Sequence, residues 1–246
     1  MPHRGGPPLP YSVVAAVTPC PGGWLVASAK LHAATFAPED PRVLAKFAEV
    51  FDERPQFEVI ALNAPIGYPD SPDQGRSCDR EARRLLGRRA MTVRNVPTRE
   101  TVESGLVRLD ERLDAIGLVL LPRYGEVAAE MLPYRQRTVY EAHPELSFYV
   151  INSDTPLKRS KKSEEGIKER RALLEKRVPG VKRILDIPVP GVRRVLDAEV
   201  DGVHPWHLND AAAMLWTARR IFAKAGIRIP TDPEWDSEGL RKEIVR

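Results

Sequence analysis

The sequence predicts a single mixed α/β domain. Three observations carry that expectation. Short, β-branched apolar runs alternate with longer segments whose apolar residues recur at helical spacing. Their order is three strands, a helix, a strand, a helical stretch, one more strand and then helices. The 246 residues are 42% hydrophobic and 29% charged, enough to bury one sizeable core. A doubly wound dinucleotide-binding sheet would alternate strand and helix throughout, and this order does not.

Residues 1–10, MPHRGGPPLP, read as a disordered tail without the apolar centre of a signal peptide. Residues 11–17, YSVVAAV, read as a buried strand that stops at the turn Thr18-Pro19-Cys20-Pro21-Gly22-Gly23. Residues 24–29 form a second strand, antiparallel to the first across that turn, and residues 31–36 a third. Residues 40–53 predict a helix, with Pro41 in its first turn and Val43, Leu44, Phe47, Val50 and Phe51 on one face. Residues 57–62, FEVIAL, predict a fourth strand, parallel to the first through a right-handed crossover. Thr18 and Asn63, each just past a strand end, then face the same edge of the sheet.

A helical insertion follows over residues 71–135. It holds a basic helix over 77–88, a helix over 98–117 with Val102, Leu106, Leu109, Leu113 and Ile116 as its apolar stripe, and a short helix over 121–132. Residues 138–140 are β-prone and deliver Glu141 to a strand end. Pro144 and Glu145 then open a helix to about 151. Ser163 caps a helix running to about 177, with Glu164 and Glu165 in its first turn. Residues 179–205 predict loop with short extended pieces. Residues 208–225 form the last long helix, with Ala212, Leu215, Ala218, Ile221 and Phe222 inward. The domain spans 11–228, and residues 229–246 predict a proline-punctuated tail over the surface.

No apolar run approaches the ~20 residues of a membrane span. The two cysteines, Cys20 and Cys78, fit a reducing compartment, and no CxxC or HExxH is present. The expectation is a cytoplasmic protein that does not enter a membrane. The formal net charge is +4, but unevenly spread. Residues 76–99 carry eight arginines against two acids, and residues 158–194 carry thirteen basic residues against five acids. Such segments meet a polyanion when the fold joins them, and are otherwise solvated faces. Neither interleaves aromatics, so base stacking on them is not indicated.

The chemistry is expected at one end of the sheet, where ligand sites of open α/β sheets collect. Thr18, Asn63 and Glu141 sit at strand ends, and Asp210 lies near the start of the last helix. Carboxylates gathered there would bind divalent metal and support attack by a metal-bound water on a phosphodiester.

The motifs around these positions resemble a bacterial and archaeal family, domain of unknown function 429, whose members are described as predicted nucleases with a ribonuclease H-like fold. The resemblance runs from about Val13 to Ala225. It rests on Cys20-x-x-Gly23-Trp24, on Ala64-Pro65-Ile66-Gly67-Tyr68-Pro69-Asp70, and on Cys78-Asp79-Arg80-Glu81-Ala82-Arg83 followed by Leu86-Gly87. It rests also on Tyr140-Glu141-Ala142-His143-Pro144-Glu145-Leu146-Ser147-Phe148, on Ser160-Lys161-Lys162 with Gly166 and Arg170, and on Asn209-Asp210-Ala211. The resemblance implies a ribonuclease H-like core, a nuclease or related phosphoryl-transfer activity, and a carboxylate site for Mg²⁺ or Mn²⁺.

Two departures bear on that implication. Thr18 and Asn63 stand where the family has aspartates, and each supplies one neutral oxygen. Glu141 and Asp210 match. One ion held by those two and by waters stays compatible with the residues, and Asp70, Asp79 or Glu145 are the nearby acids able to substitute. Lys161, Lys162, Arg80 and Arg83 are the candidate phosphate ligands. Two readings follow: a metal-dependent nuclease acting on nucleic acid, or a non-catalytic member of the fold that binds a phosphate-bearing ligand or a protein partner. Structural roles compete at each position. Glu141 can cap the following helix or pair with Arg80, Arg83 or Lys161, Asp210 can complement a helix dipole, and His143, His204 and His207 can be turn or packing residues. Cys20, in a turn, has nothing to lower its thiol pKa, and Trp24 reads as core.

Overall fold

In the computed structural model, residues 10–108, 110–187 and 202–246 are described, together with the backbone of 194–195 and 198–199. The chain opens with three antiparallel strands, β1 (Ser12–Cys20), β2 (Gly23–His32) and β3 (Thr35–Pro38), followed by a short β4 (Arg42–Leu44). After β5 (Val59–Leu62) come α1 (Ser77–Leu86), α2 (Arg99–Ser104) and α3 (Ala115–Glu130). Next are β6 (Val139–Glu141), α4 (Pro144–Ile151), α5 (Glu164–Arg177) and the single turn α6 (Lys182–Leu185). A two-residue pair, β7 (Arg194–Val195) and β8 (Ala198–Glu199), precedes α7 (Pro205–Phe222), and β9 (Arg228–Trp235) and β10 (Arg241–Val245) end the chain.

The main sheet has the order β3-β2-β1-β5-β6, with β4 also paired to β2. β1 runs antiparallel to β2 and parallel to β5, and β5 runs parallel to β6. This is the expected mixed sheet flanked by helices. Alternation along β1 divides the core in two. Val14 and Ala16 join Ala27, Ala29 and Ala61 under α7, which answers with Ala211, Ala212, Leu215 and Ala218. Alanine on both sides lets the helix lie close to the sheet. Val13, Ala15 and Val17 join Trp24, Ile60, Leu62 and Val139 on the other face, against Leu121, Tyr124 and Val127 of α3. Glu126 pins α3 there, accepting from Trp24 Nε1 and the Phe47 amide, each at 2.8 Å. Among the described residues no helix is long and apolar enough to cross a membrane.

Four expectations are corrected. Residues 40–53 form no α-helix. Arg42–Leu44 pairs with Trp24–Val26 of β2, and only Phe47–Phe51 keeps a tight 3₁₀ turn, with Phe47 5.1 Å from the Trp24 ring. The link from β1 to parallel β5 is therefore strands and one turn, not a helical crossover. β2 continues to His32, so the third strand starts later than expected, at Thr35. The helix expected over 98–117 stops at Ser104, because Gly105 takes the left-handed conformation (φ +69°) that ends helices. A new helix begins when the Asp114 side chain caps the Gly117 amide at 2.7 Å. Leu106 of the expected stripe is exposed, and Leu109 lies outside the described residues. So do residues 1–9 of the expected tail and most of 188–201 of the expected loop.

The fourth correction concerns the C-terminus. Residues from Ile229 are not a surface tail but the antiparallel β9–β10 hairpin. Its turn residue Asp236 accepts from the amides of Tyr68, Glu238 and Leu240 at 3.2, 3.0 and 2.8 Å and pairs with Arg99. The hairpin thus holds the Pro65–Tyr68 segment that follows β5. Asp236→Ala leaves three amides without their acceptor and Arg99 with only Glu103. It should lower the urea-derived unfolding free energy by about 3 kcal/mol. A loss below about 1 kcal/mol would mean the segment is held without the hairpin.

Candidate functional site

A cleft of about 550 Å³ opens at the carboxyl ends of β1, β5 and β6. Thr18, Asn63, Glu141 and Asp210 all line it, as do Lys161 and Lys162. Thr18 lies inside β1 rather than past its end, opposite Leu25 of β2. Asn63 Nδ2 donates to Thr18 Oγ1 at 2.8 Å, so the two neutral residues satisfy each other.

The acids separate into two groups, and the pleat explains why. Val17, Leu62 and Val139 face α3, and Glu141 follows Val139 by two residues. Thr18 follows Ala16 by two and faces the α7 side, where Asp210 is. Glu141 and Asp210 therefore leave the sheet end on opposite faces.

On the α3 face Glu141 is taken up by Arg76. Arg76 Nη1 donates to Glu141 Oε2 at 2.8 Å and Nη2 to Oε1 at 2.6 Å. The Ile66 amide adds a third bond to Oε2 at 2.6 Å. The same guanidinium holds Asp79 through Nε at 3.0 Å and Nη2 at 2.6 Å. Arg76, Asp79 and Glu141 are all buried. Burial pushes the Glu141 carboxyl up, to about 7, against the pull of Arg76 and the Ile66 amide, while Asp79 adds to the rise.

On the α7 face the acids are Glu145 and Asp210. Glu145 accepts from Arg170 at 2.7 Å and from Arg89 at 3.1 Å. Burial alone would raise its carboxyl, but these two arginines bring it below the usual range. Lys161 pairs with Asp210, whose other oxygen, Oδ1, has no hydrogen-bond partner among the described residues, and burial raises the Asp210 pKa. Three cations thus surround two carboxylates, and Lys162, exposed and with no acidic partner within 4 Å among the described residues, adds a fourth. Lys161 and Lys162 lie over the Trp206 ring at 4.9 and 5.4 Å. Gly166 makes their position possible: a Cβ there would fall 1.8 Å from the Ser160 carbonyl oxygen.

The other candidates lie elsewhere. Arg80 and Arg83 do not line the cleft. Arg80 is exposed and 3.7 Å from Glu234. Arg83 donates to the carbonyls of Val93 and Arg94, both at 3.0 Å, and so braces a segment that does line it. Asp70 is exposed. Cys20 is buried and its thiol is pushed up to about 11 by that burial. Trp24 is fully buried. Sequence reasoning passed over Arg76, Arg94 and Arg123, all of which line the cleft. Arg76 and Arg94 were marked only by their place in the arginine-rich stretch 76–99, Arg123 by nothing, and nothing in the local pattern separates Arg76 from Arg80.

His143 Nε2 lies 3.1 Å from the Thr92 carbonyl. A carbonyl only accepts, so Nε2 carries the proton and Nδ1 keeps its lone pair. Burial holds this imidazole down to about 4, well below its ordinary 6.5. Nitrogen-15 NMR should show the neutral Nε2–H tautomer at pH 7 and protonation only near pH 4. Between those values the unfolded chain binds a proton that the folded chain does not. His143 therefore favours folding above the window, and that contribution is lost as pH falls through it. A titration near 6.5 in the folded protein would refute the assignment.

Arg76→Met leaves two carboxylates buried without their counter-charge, with an expected loss of about 3–5 kcal/mol. Glu141→Gln in that background should recover part of it, with a coupling above about 1.5 kcal/mol in a double-mutant cycle. Additive effects would show that the guanidinium and Glu141 do not act together.

No curated protein and no solved structure gives a significant match to the chain. A family model described as "Protein of unknown function (DUF429)" matches residues 17–235, the span that contains every residue lining the cleft except Ile244, and the chain belongs to that family.

Proposed function

We propose that this protein binds a phosphate-bearing ligand in the cleft at the sheet end, and that it does so without the paired-metal hydrolysis implied by a ribonuclease H-like resemblance. The sheet order, three antiparallel strands continued by two parallel ones, supports a ribonuclease H-like core. The observation that carries the functional reading is the buried contact of Arg76 with both oxygens of Glu141. A divalent ion at Glu141 would have to displace a guanidinium that is itself held by Asp79. Thr18 and Asn63 offer no charge and are bonded to each other. Asp210 keeps one buried carboxylate oxygen with no hydrogen-bond partner among the described residues, and the carboxylate beside it, Glu145, is held by two arginines. The residues present do not fit a pair of Mg²⁺ or Mn²⁺ ions.

They fit an anion better. Among the described residues the positive groups around Asp210 outnumber the negative, and Lys162 has no acid of its own. The first turns of α7, with Trp206, His207 and Asp210, also line the cleft, so the positive end of that helix dipole faces the same space.

Calorimetry separates the two readings. Sodium phosphate should bind at low salt, with an affinity that falls as salt rises and falls at least about fivefold in Lys162→Met. Mn²⁺ should not bind tightly at pH 7, and single-stranded, duplex and hybrid nucleic acids should stay intact with Mg²⁺ or Mn²⁺. Metal-dependent cleavage that disappears in Glu141→Gln would overturn the proposal in favour of the nuclease.

A further inference from the structure

The cleft has two unlike walls because it spans the end of the sheet. The α7 side supplies Lys161, Lys162, Trp206 and Asp210. The α3 side supplies Ile116, Val119, Leu120, Arg123 and Tyr124, residues three, four, seven and eight apart on one stripe of the helix. Arg123 is paired with Glu126 at 2.5 Å, so the outer part of this wall is apolar. Val93 and Val96 continue it.

Tyr124 and Leu120 of this stripe serve the core, but Ile116 and Val119 do not. α3 buries Leu121, Tyr124 and Val127 against the sheet, which is the usual single apolar face of a surface helix. Ile116 and Val119 lie beyond that face, and Val119 is 75% exposed while lining the cleft. Large aliphatic groups left open to water inside a concave site, opposite unneutralised positive charge, match a ligand that is apolar at one end and anionic at the other. A phosphate group alone would touch only the α7 wall and leave most of the 550 Å³ to water.

Building on the phosphate-binding reading above, we infer that the ligand is an organic phosphate monoester with an aromatic or apolar body of bicyclic size. Its phosphate lies against Lys161 and Lys162, and its body covers Ile116 and Val119. Recognition of this kind requires a small ligand with one compact body, which distinguishes it from the repeating backbone of a polynucleotide.

The test uses the full chain and three probes in calorimetry at constant low salt: 1-naphthyl phosphate, sodium phosphate and 1-naphthol. The first should bind at least about tenfold more tightly than either of the others. Val119→Asp should bring 1-naphthyl phosphate down to the affinity that sodium phosphate shows for the same variant. Val119→Ser, a milder change at the same exposed position, should remove part of the advantage. Lys162→Met should weaken naphthyl phosphate and leave naphthol unchanged. Sodium phosphate binding as tightly as naphthyl phosphate would overturn the inference and leave the anion site standing. Naphthol binding as tightly as naphthyl phosphate would overturn the anion site and the inference with it. Circular dichroism of each variant separates lost binding from lost fold, and a Val119→Asp protein that is folded yet keeps the tenfold preference would also overturn the inference.

Discussion

The buried guanidinium of Arg76 is the contact on which the rest of the sheet end depends. It joins the residue before α1 to Asp79 on α1 and to Glu141 at the end of β6, and it reaches the Gly67 carbonyl at 3.2 Å. Those pieces come from three separate parts of the chain. Two carboxylates and one guanidinium leave a net negative charge in a buried place, which is costly unless nearly every polar atom is bonded. Here it is: the Ile66 amide adds to Glu141, and Ile66 is held in turn because Asp236 of the C-terminal hairpin grips Tyr68 two residues on. The hairpin, the loop after β5 and the triad therefore stand or fall together. A segment that read as a trailing tail is part of the support for the residue at the centre of the sheet end.

Much of the fold was legible because burial leaves a periodic trace. β1 and β5 are short apolar runs, and α4 and α5 follow the starting signals at Pro144 and Ser163, while α7 begins at Pro205, three residues before the expected start at 208. What was not legible depended on partners far away in sequence. Arg42–Leu44 has helical spacing around it but becomes a strand because Trp24–Val26 offers an unpaired edge. The stripe expected over 98–117 is interrupted by Gly105, whose freedom to take a positive φ outweighs the apolar spacing on either side. The β9–β10 hairpin contains Pro230 and Pro233, residues that weaken a strand reading, yet it forms because β9 and β10 need only each other and the turn at Asp236.

The site was legible as a place more than as a set of contacts. Thr18, Asn63, Glu141 and Asp210 do converge on one cleft, as strand ends and a helix start suggested. The partner of Glu141 was not visible. Arg76, Arg80 and Arg83 are alike in composition and local setting. Only the three-dimensional course of the chain decides that Arg76 turns inward while Arg80 meets Glu234 and Arg83 meets Val93 and Arg94. The pairing of Glu141 with Asp210 failed for a simpler reason that the sequence does contain. β6 presents Val139 and Glu141 to the α3 face, and β1 presents Ala16 and Thr18 to the α7 face. Parity along two strands, counted from the buried residues, separates the two acids before any side chain is placed.

That separation bears on what the cleft can select. A site built from acids on one face would gather cations at one point and treat any ligand as a phosphate. Here the α3 face spends its acid on Arg76 and then presents aliphatic side chains, while the α7 face keeps its positive excess at Lys161 and Lys162. The excess positive charge and the open aliphatic surface thus lie on opposite walls, the arginines of the α3 wall, Arg94 and Arg123, being paired with Asp114 and Glu126. Neutral Thr18 and Asn63 lie between the walls, hydrogen-bonded to each other, and add no charge that would repel an anion crossing from one to the other. In this arrangement the two neutral residues are not a gap in an acidic site. On the proposed reading they leave uncharged surface between the end of a ligand held by charge and the end held by burial.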